Sequence, residues 1–168
     1  MSNSICLILD NIRSIHNVGS IFRTADAAGV SKIYLVGTTP SPVDRFGRKR
    51  KDLVKVSLGA EDLVAWEYVA DTKATLTLIK DIKKEGFTVV ALEQDERSVD
   101  YREISQKIKS GATKKNAGVA LILGNEVGGV SKELLKSADY IMEIPMAGKK
   151  ESLNVSVAAG VALFQLNR

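Results

Sequence analysis

The sequence has few of the residues that build disulfides and histidine-based sites. Among its 168 residues it holds one cysteine, Cys6, and one histidine, His16. A single cysteine excludes an intrachain disulfide and a Cys/His zinc site, and it fits a reducing compartment. A lone histidine argues against a Ser-His-Asp triad or a histidine-rich metal site. We therefore expect no metal, and the sequence assigns no role to His16.

Long apolar segments and sorting signals are missing as well. No apolar run reaches the roughly 18 residues that a membrane span requires, and the N-terminus lacks the pattern of a secretory signal peptide. We therefore expect a cytoplasmic protein without a membrane partner. Repeats, low-complexity tracts and interdomain linkers are also absent, so the length and a hydrophobic content of 45% predict a single domain over residues 1–168.

Short apolar runs alternate along the chain with helical patterns of apolar residues. Five runs predict strands, at residues 5–9, 32–36, 87–92, 119–123 and 140–144. Four periodic segments predict helices, at residues 18–28, 72–84, 131–137 and 153–166. This order predicts an α/β domain whose mostly parallel sheet is flanked by helices on both faces. Since ligands bind at the carboxyl ends of strands in such sheets, polar segments that follow strands are candidate sites.

The first such segment runs from Asn11 to Arg23. At about 100° per residue, Arg23 points away from the apolar face of the predicted helix and lies one turn from its start, beside Asn17. On spacing alone, a plain surface arginine is the favoured interpretation. The apolar face itself consists of Val18, Ile21, Phe22 and Ala25.

The second segment is rich in glycine and follows the predicted strand at residues 119–123. It begins Gly124-Asn125-Glu126 and continues through Gly128 and Gly129 to Ser131, the expected N-cap of the next helix. Glycines allow the backbone to approach a ligand closely. The segment fits neither GxxxxGK[ST] nor GxGxxG, which counts against ATP or GTP hydrolysis and dinucleotide binding. Taken alone, it is equally compatible with a strand-to-helix turn and a ligand-binding loop.

The third segment is a loop with proline and glycine that leads directly into an apolar helix of small residues. Pro145 fixes φ, and Gly148 permits a positive φ. Ser152 and Asn154 lie at the helix start, where exposed N–H groups and polar side chains can hold a ligand. Because its residues are small, the helix can pack closely against a neighbour, including a second subunit.

Basic residues are concentrated between Arg45 and Lys55, where Asp52 is the only acid. Within residues 38–52, which we predict to be a loop, this excess favours contact with the phosphates of a nucleic acid. A solvated surface loop with chance clustering is the alternative. The candidate RNA-binding residues are Arg45, Arg48, Lys49, Arg50 and Lys51.

Together and in this order, the three segments resemble the motifs of the SpoU (TrmH-type) RNA 2′-O-ribose methyltransferases, a family of the SPOUT superfamily. The resemblance covers nearly the whole chain, and its specificity comes from the ordered set, because each motif alone is weak to moderate. The matching residues are Asn17, Gly19 and Arg23-Thr24-Ala25, then Gly124-Asn125-Glu126 with Gly128, then Ile144-Pro145-Met146 with Ser152-Leu153-Asn154-Val155-Ser156-Val157-Ala158.

The resemblance implies a fold, a cofactor and an assembly. The fold would be a SPOUT-type α/β sheet whose C-terminal part forms a deep trefoil knot. The cofactor would be S-adenosylmethionine. The active enzyme would be a homodimer packed through its C-terminal helices, with Arg23 of one subunit directed toward the cofactor of the other. The positions that the resemblance assigns to cofactor binding are Leu92, Gly124, Ile144, Met146, Ser152 and Leu153.

The implied reaction moves a methyl group from a sulfonium to a ribose 2′-hydroxyl of tRNA or rRNA. The enzyme must position the two groups and handle the hydroxyl proton. Arg23 is effectively always protonated, so it suits anchoring a phosphate and stabilising negative charge better than it suits the role of a base. An RNA phosphate could accept the proton. Asn17 would orient Arg23 or the ribose, and Glu126, Ser152 and Asn154 would fix the motif loops and the substrate by hydrogen bonds.

Two other functions stay open. One is a non-catalytic RNA-binding or assembly factor that retains the methyltransferase fold, although polar residues are kept in all three motifs. The other is a flavodoxin-like binder of a small molecule. The sequence does not identify the RNA, the nucleotide or the base.

Overall fold

The chain forms a parallel sheet with helices packed around it. The computed structural model describes residues 4–111 and 117–167. Within these ranges all strand pairings are parallel, in the order β3-β2-β1-β6-β4-β7-β5, which confirms the predicted α/β class. The strands are β1 (Ser4–Asp10), β2 (Lys32–Val36), β3 (Ala65–Val69), β4 (Phe87–Leu92), β5 (Val99–Asp100), β6 (Gly118–Gly124) and β7 (Tyr140–Glu143). The helices are α1 (Ile15–Ala27), α2 (Lys51–Ser57), α3 (Ala60–Leu63), α4 (Thr72–Lys84), α5 (Ile104–Gly111), α6 (Lys132–Ser137) and α7 (Val155–Leu166).

Helices cover both faces of the sheet, because successive residues of its central strands point to opposite sides. Leu7 and Leu9 of β1 pack into one core cluster with residues of α1 and α7. Cys6 and Ile8 point the other way and pack into a second cluster with residues of α4 and α6. Every residue of β6 is buried, which is the burial expected of a central strand in a parallel sheet.

Helix α1 starts before the predicted helix because Ser14 caps it. The Ser14 hydroxyl accepts a hydrogen bond from the Asn17 N–H at 3.2 Å, so the helix begins at Ile15. The predicted apolar face is buried, and Arg23 is exposed, as the periodicity predicts. Asn17 therefore lies in the first turn of α1, which is the N-terminal end of the helix and directly follows β1.

The predicted loop over residues 38–52 is wrong at its C-terminal end, because α2 begins at Lys51. Helices α2 and α3 contain seven and four residues, which is too few for a helical period to stand out in a sequence. Leu53 of α2 is fully buried against α1. This packing holds the C-terminal end of the basic residues 45–55 against α1.

In the C-terminal part of the chain, the predicted strand is one residue too long at its end, and the predicted helix is two residues too long at its start. Strand β7 ends at Glu143 rather than at residue 144, and α7 begins at Val155 rather than at residue 153. Asn154 is the N-cap of α7, and its Oδ1 accepts a hydrogen bond from the Ser156 N–H at 2.9 Å. The connection over residues 144–154 thus carries most of the third motif. The trefoil knot expected in this region stays a prediction.

Candidate functional site

A cavity of about 510 Å³ lies at the carboxyl ends of β4, β6 and β7. This volume is within the range of sites that bind small molecules. Glu126, Ser152 and Asn154, three of the five predicted catalytic residues, line the cavity. All six residues predicted to hold the cofactor line it too, namely Leu92, Gly124, Ile144, Met146, Ser152 and Leu153.

A chain of hydrogen bonds joins the three motif segments beside this cavity. Asn154 Nδ2 donates to Asn17 Oδ1 at 3.1 Å, and Asn17 Nδ2 donates to Glu126 Oε1 at 2.9 Å. The bonded residues are 137 and 109 positions apart in the sequence. Both ends of the Asn17 amide are engaged, so the network fixes the orientation of this side chain.

The carboxylate of Glu126 also holds the start of α1. Its oxygens accept long hydrogen bonds from the N–H groups of Arg13 and Ser14, both at 3.4 Å. Burial by itself raises the pKa of Glu126, but donation from Asn17 and from these backbone groups outweighs it, so the pKa lies below its ordinary value. Glu126 is therefore an anion at neutral pH and acts as a hydrogen-bond acceptor.

Residues 124–130 form a tight hairpin that carries Glu126. Asn125 and Gly129 exchange backbone hydrogen bonds of 3.1 and 3.0 Å, and Asn125 Oδ1 accepts two further N–H groups at 2.9 and 2.7 Å. A Cβ atom on Gly124 would lie 2.1 Å from the backbone of Gly129, so the hairpin closes only with glycine at this position. The second segment is thus a hairpin that presents its residues to the cavity.

Sequence reasoning misses Glu93 and Gln94, which follow β4 and line the cavity. Glu93 Oε2 accepts a hydrogen bond from the Val130 N–H at 3.0 Å, which anchors the hairpin. Gln94 Nε2 donates to the carbonyl of Glu151 at 2.7 Å, which holds the loop of the third motif. Both residues come directly after a predicted strand, so the rule that ligands bind at the carboxyl ends of strands could have found them.

Asp10, at the end of β1, is a third missed residue. Its carboxylate is buried and accepts hydrogen bonds from the Ser131 N–H at 2.8 Å and from Asn11 Nδ2 at 2.9 Å. Ser131 occupies the predicted N-cap position of α6, but its hydroxyl has no hydrogen-bond partner in the described part of the chain. Ser131 is therefore the N-cap as predicted but makes no capping bond through its side chain, and Asp10 holds the start of α6 instead.

Arg23 lies outside the lining of the cavity. Its side chain is exposed on α1, whose opposite face packs into the core beside α7. Ser152, by contrast, is exposed within the loop of the third motif and lines the cavity. A single chain therefore brings together Asn17, Glu126 and Asn154 but leaves Arg23 apart from them.

The predicted RNA-binding residues lie in the basic loop, defined as residues 43–50 together with Lys51, the first residue of α2. This loop follows β2 at the same edge of the sheet as the cavity. Asp44 Oδ1 accepts hydrogen bonds from the N–H groups of Phe46 and Arg48 at 2.8 and 3.0 Å. Asp44 Oδ2 accepts one from Arg48 Nε at 2.9 Å. Donation from the backbone and side chain of Arg48 lowers the pKa of Asp44. The loop is therefore organised around a carboxylate.

The five basic candidates of this loop differ in how they are paired. Arg48 is paired with Asp44, and Lys49 is paired with Asp62 and with the buried Glu61 at 3.6 Å. The other three, Arg45, Arg50 and Lys51, form no ion pair with a carboxylate among residues 4–111 and 117–167. Arg45 and Lys51 are exposed, whereas Arg50 is half-buried with its Nε enclosed.

Cys6 and His16 do not line the cavity. Burial, with a contribution from the charge of Glu85, raises the pKa of the Cys6 thiol to about 12. His16 is exposed in the first turn of α1. In the part of the chain that the structure describes, His, Cys, Asp and Glu side chains form no group of three suited to a metal ion. None of the helices described is long and apolar enough to cross a membrane.

Comparison with known proteins gives consistent matches. A family model described as the SpoU rRNA Methylase family matches residues 4–164. Over 159 residues the chain is 33% identical to a tRNA (guanosine(18)-2′-O)-methyltransferase of Aquifex aeolicus, covering 95% of this chain and 66% of that protein. Over 167 residues it is 33% identical to a 23S rRNA (guanosine-2′-O-)-methyltransferase of Pasteurella multocida, covering 99% of this chain and 61% of that protein.

A solved structure matches as well. It is the crystal structure of an AdoMet-bound rRNA methyltransferase from Sinorhizobium meliloti, with a TM-score of 0.79 and 34% sequence identity. The match covers 99% of this chain and 56% of that chain. The chain thus spans between 56% and 66% of the length of these three relatives.

Proposed function

The chain belongs to the SpoU rRNA methylase family, and from that premise we propose that it methylates a ribose 2′-hydroxyl of RNA with S-adenosylmethionine. Relatives at 33% identity are named tRNA and rRNA guanosine 2′-O-methyltransferases, and one at 34% identity was solved with AdoMet bound. The observation that carries the proposal is the cavity lined by the second and third motif segments, whose Glu126 and Asn154 are joined to the first segment by hydrogen bonds with Asn17.

The cavity fits S-adenosylmethionine in size and in chemistry. Its volume is about 510 Å³, and its apolar side chains, such as Leu92 and Ile144, suit an adenine ring. Carboxylates of Glu93 and Glu126 also line it and favour a cation such as the sulfonium. When bound, the cofactor supplies an electrophilic methyl group. The chain supplies the enclosure and the hydrogen bonds that hold the reacting groups together.

We assign the motif side chains distinct roles. Glu126 fixes the amide of Asn17, which in turn fixes Asn154, so these three position the ribose at the edge of the cavity. Ser152 is exposed there and donates a hydrogen bond to the RNA. The guanidinium of Arg23 anchors an RNA phosphate and stabilises the 2′-oxygen as the hydroxyl proton leaves for that phosphate.

We propose a homodimer packed through α7, because this apolar helix has an exposed stripe. Val157 and Phe164 are 53% and 54% exposed. Together with the partly buried Val161 they lie at helical spacing on one face. A helix that is apolar on all sides is normally buried. A second copy on this stripe would bury it and direct its own Arg23 toward the cavity of the first.

The proposed substrate is tRNA or rRNA, held partly by the basic loop. Phosphates dominate the affinity of proteins for nucleic acids, and Arg45, Arg50 and Lys51 have no carboxylate partner among the described residues. We also propose a cytoplasmic location, which the buried, unpaired Cys6 thiol supports.

The direct test is methyl transfer from labelled S-adenosylmethionine to unmodified total tRNA and, separately, to unmodified rRNA. The product nucleosides are identified by nuclease digestion and mass spectrometry. We expect one 2′-O-methylated nucleoside from one of the two pools. Measurable cofactor binding without transfer to either pool would favour a non-catalytic RNA-binding factor instead.

A variant tests the assigned role of Arg23. Arg23→Ala should lower the transfer rate at least 100-fold, since it removes a charge that acts on the reacting oxygen. The affinity for S-adenosylmethionine should not change, because Arg23 does not line the cavity of its own chain. Lys80→Ala, which removes an exposed charge from α4 on the other face of the sheet, is the matched control. Retained turnover in Arg23→Ala would contradict the role.

A further inference from the structure

Phe46 lies near the tip of the basic loop with 65% of its surface exposed. The guanidinium groups of Arg45 and Arg48 lie 4.7 and 5.0 Å from the centre of its ring, which is within the distance of cation–π contacts. A single exposed apolar residue is ordinary on a protein surface. An aromatic ring with two guanidinium groups beside it on a basic loop is a more specific arrangement, of the kind that binds bases of single-stranded nucleic acids.

The loop holds this ring in a defined place. Val43 and Lys49 pair as an antiparallel bridge and close the loop. Inside it, the Asp44 carboxylate accepts the N–H groups of Phe46 and Arg48, and the Gly47 N–H donates to the Asp44 carbonyl at 2.9 Å. Because the backbone is already fixed, a ligand that contacts the ring loses little free energy to ordering the loop.

The segment that connects β2 to the basic loop is tied to the carboxyl end of β1 and the residues that follow it. Thr39 Oγ1 accepts a hydrogen bond from the Ile12 N–H at 3.0 Å and donates to the Leu9 carbonyl at 2.9 Å. Asn11 Oδ1 accepts a hydrogen bond from the Thr38 N–H at 3.1 Å. Strands β2, β1 and β6 are parallel neighbours, so the loop and the cavity share one edge of the sheet. An RNA strand that enters the cavity can therefore extend across β1 to Phe46.

We propose that Phe46 stacks on an unpaired base of the RNA, while Arg45, Arg50 and Lys51 contact the neighbouring phosphates. This inference rests on the proposed function, because it takes RNA as the ligand. Unpaired bases are held by stacking on aromatic side chains, and a basic surround attracts the phosphates that flank them. The ring could also contact a protein, but the concentration of basic residues around it favours a polyanion.

The test separates contact with bases from contact with phosphates. One probe is a fluorescein-labelled uridylate decamer, and the other is a ribose-phosphate decamer that lacks bases. Phe46→Leu removes the ring but keeps an apolar side chain, and Phe46→Tyr keeps the ring. Leu63→Ser is the matched control, because Leu63 is 72% exposed on α3 and follows Asp62, the ion-pair partner of Lys49. Affinities are measured by fluorescence anisotropy at low salt.

We expect Phe46→Leu to weaken binding of the uridylate decamer about tenfold and to leave binding of the base-free decamer unchanged. Phe46→Tyr and Leu63→Ser should bind both probes like the unmodified protein. The proposal is overturned if Phe46→Leu binds the uridylate decamer normally, or if it loses affinity for both probes equally, since the effect would then lie in the phosphate contacts.

A kinetic measurement distinguishes failure of this inference from failure of the proposed function. In the methyl-transfer assay, Phe46→Leu should raise the KM for RNA about tenfold and leave the KM for S-adenosylmethionine unchanged. Methyl transfer by Phe46→Leu with an unchanged KM for RNA would overturn the stacking proposal but not the proposed function. If the unmodified protein neither transfers methyl groups nor binds either decamer, the proposed function fails and the stacking proposal fails with it.

Discussion

Asn17 links the three motif segments, since its side-chain amide is hydrogen-bonded to both Glu126 and Asn154. The sequence marks all three as candidates, but periodicity says nothing about which of them touch. Those contacts depend on how β1, β6 and α7 pack, and they cross more than 100 positions of sequence. At the residue scale, candidate side chains can therefore be predicted, whereas their hydrogen-bond partners require the structure.

Glu126 should remain ionised to a lower pH than a free glutamate. Its folded-state pKa is lowered, so the stabilisation from its carboxylate is fully present above the ordinary pKa of 4.5 and is lost as the pH falls through the folded-state value. We expect the NMR signals of the Asn17 side-chain amide to hold their positions down to pH 4.5 and to move below it. Glu126→Gln should abolish this transition, and a midpoint above 4.5 would contradict the argument.

Cys6 should be unreactive in the folded protein. Because its pKa is raised to about 12, chiefly by burial, almost no thiolate forms at neutral or mildly basic pH. The stability gained by burying the neutral thiol is fully present below the ordinary pKa of 9.0 and is lost as the pH rises from there toward 12. A thiol-reactive disulfide reagent at about pH 8 should modify one thiol per chain in denaturant and essentially none in the native state. Rapid native-state modification would contradict this.

At the scale of elements, the bounds of strands and helices can be predicted where the apolar pattern is long enough to show its period. The bounds of β2, β4 and α4 match the predicted segments 32–36, 87–92 and 72–84, because each is a clear apolar run or a full helical period. Helices α2 and α3 are too short to show a period, and β3 at the sheet edge is largely exposed and lacks an apolar run. These elements owe their conformation to packing on α1 and β2.

The contact between α1 and α2 predicts the effect of one substitution. A Cβ on Gly19 would lie 3.0 Å from the Leu53 carbonyl oxygen and 3.0 Å from the Val56 Cβ, so Gly19→Ala forces the two helices apart. Overpacking costs about 1–3 kcal/mol, and the better helix propensity of alanine offsets up to about 1 kcal/mol of this, so we expect a net loss of about 1–2 kcal/mol in the free energy of unfolding. Urea denaturation would measure it. RNA affinity should fall as well, because α2 carries the end of the basic loop.

Gly160→Ala is the matched control within another helix. A Cβ there would meet Thr24 Cγ2 at 3.6 Å, an ordinary contact distance. Alanine has the better helix propensity, so this variant should be neutral or more stable by up to about 1 kcal/mol. Equal losses of stability in the two variants would show that close approach of α2 to α1 is not the cause.

At the scale of the whole molecule, the position of the site follows from the sheet. The three motif segments follow β1, β6 and β7, and parallel strands bring their carboxyl ends to one edge, so their proximity could be predicted once the strands were. Glu93 holds the hairpin at residues 124–130, and Asp10 holds the start of α6. Neither belongs to one of the motifs, so the motifs could not have identified them. The periodicity of α1 predicts the exposure of Arg23, and the family resemblance implies that it serves the other subunit, but its separation from the cavity of its own chain depends on how α1 packs against α7.

Because Arg23 lies away from the cavity of its own chain and α7 has an exposed apolar stripe, we predict that activity requires two chains. Val157→Lys should convert a dimer to a monomer and abolish methyl transfer, because a buried lysine without a partner is strongly unfavourable in an interface. Sedimentation would report the mass, and Leu63→Lys, which adds the same charge at an exposed apolar site on α3, should stay dimeric. A monomeric but active Val157→Lys would contradict the requirement for two chains.

Mixing two variants that should each be inactive gives the sharper test: Arg23→Ala, and Asn154→Ala, which removes a side chain assigned to position the ribose. Arg23→Ala keeps an intact cavity, and Asn154→Ala keeps Arg23. If Arg23 acts on the cavity of the other chain, half of the randomly exchanged dimers contain one complete site, so activity should return to about a quarter of that of the unmodified protein. If Arg23 serves its own cavity, no dimer gains a complete site from exchange, and the mixture stays inactive.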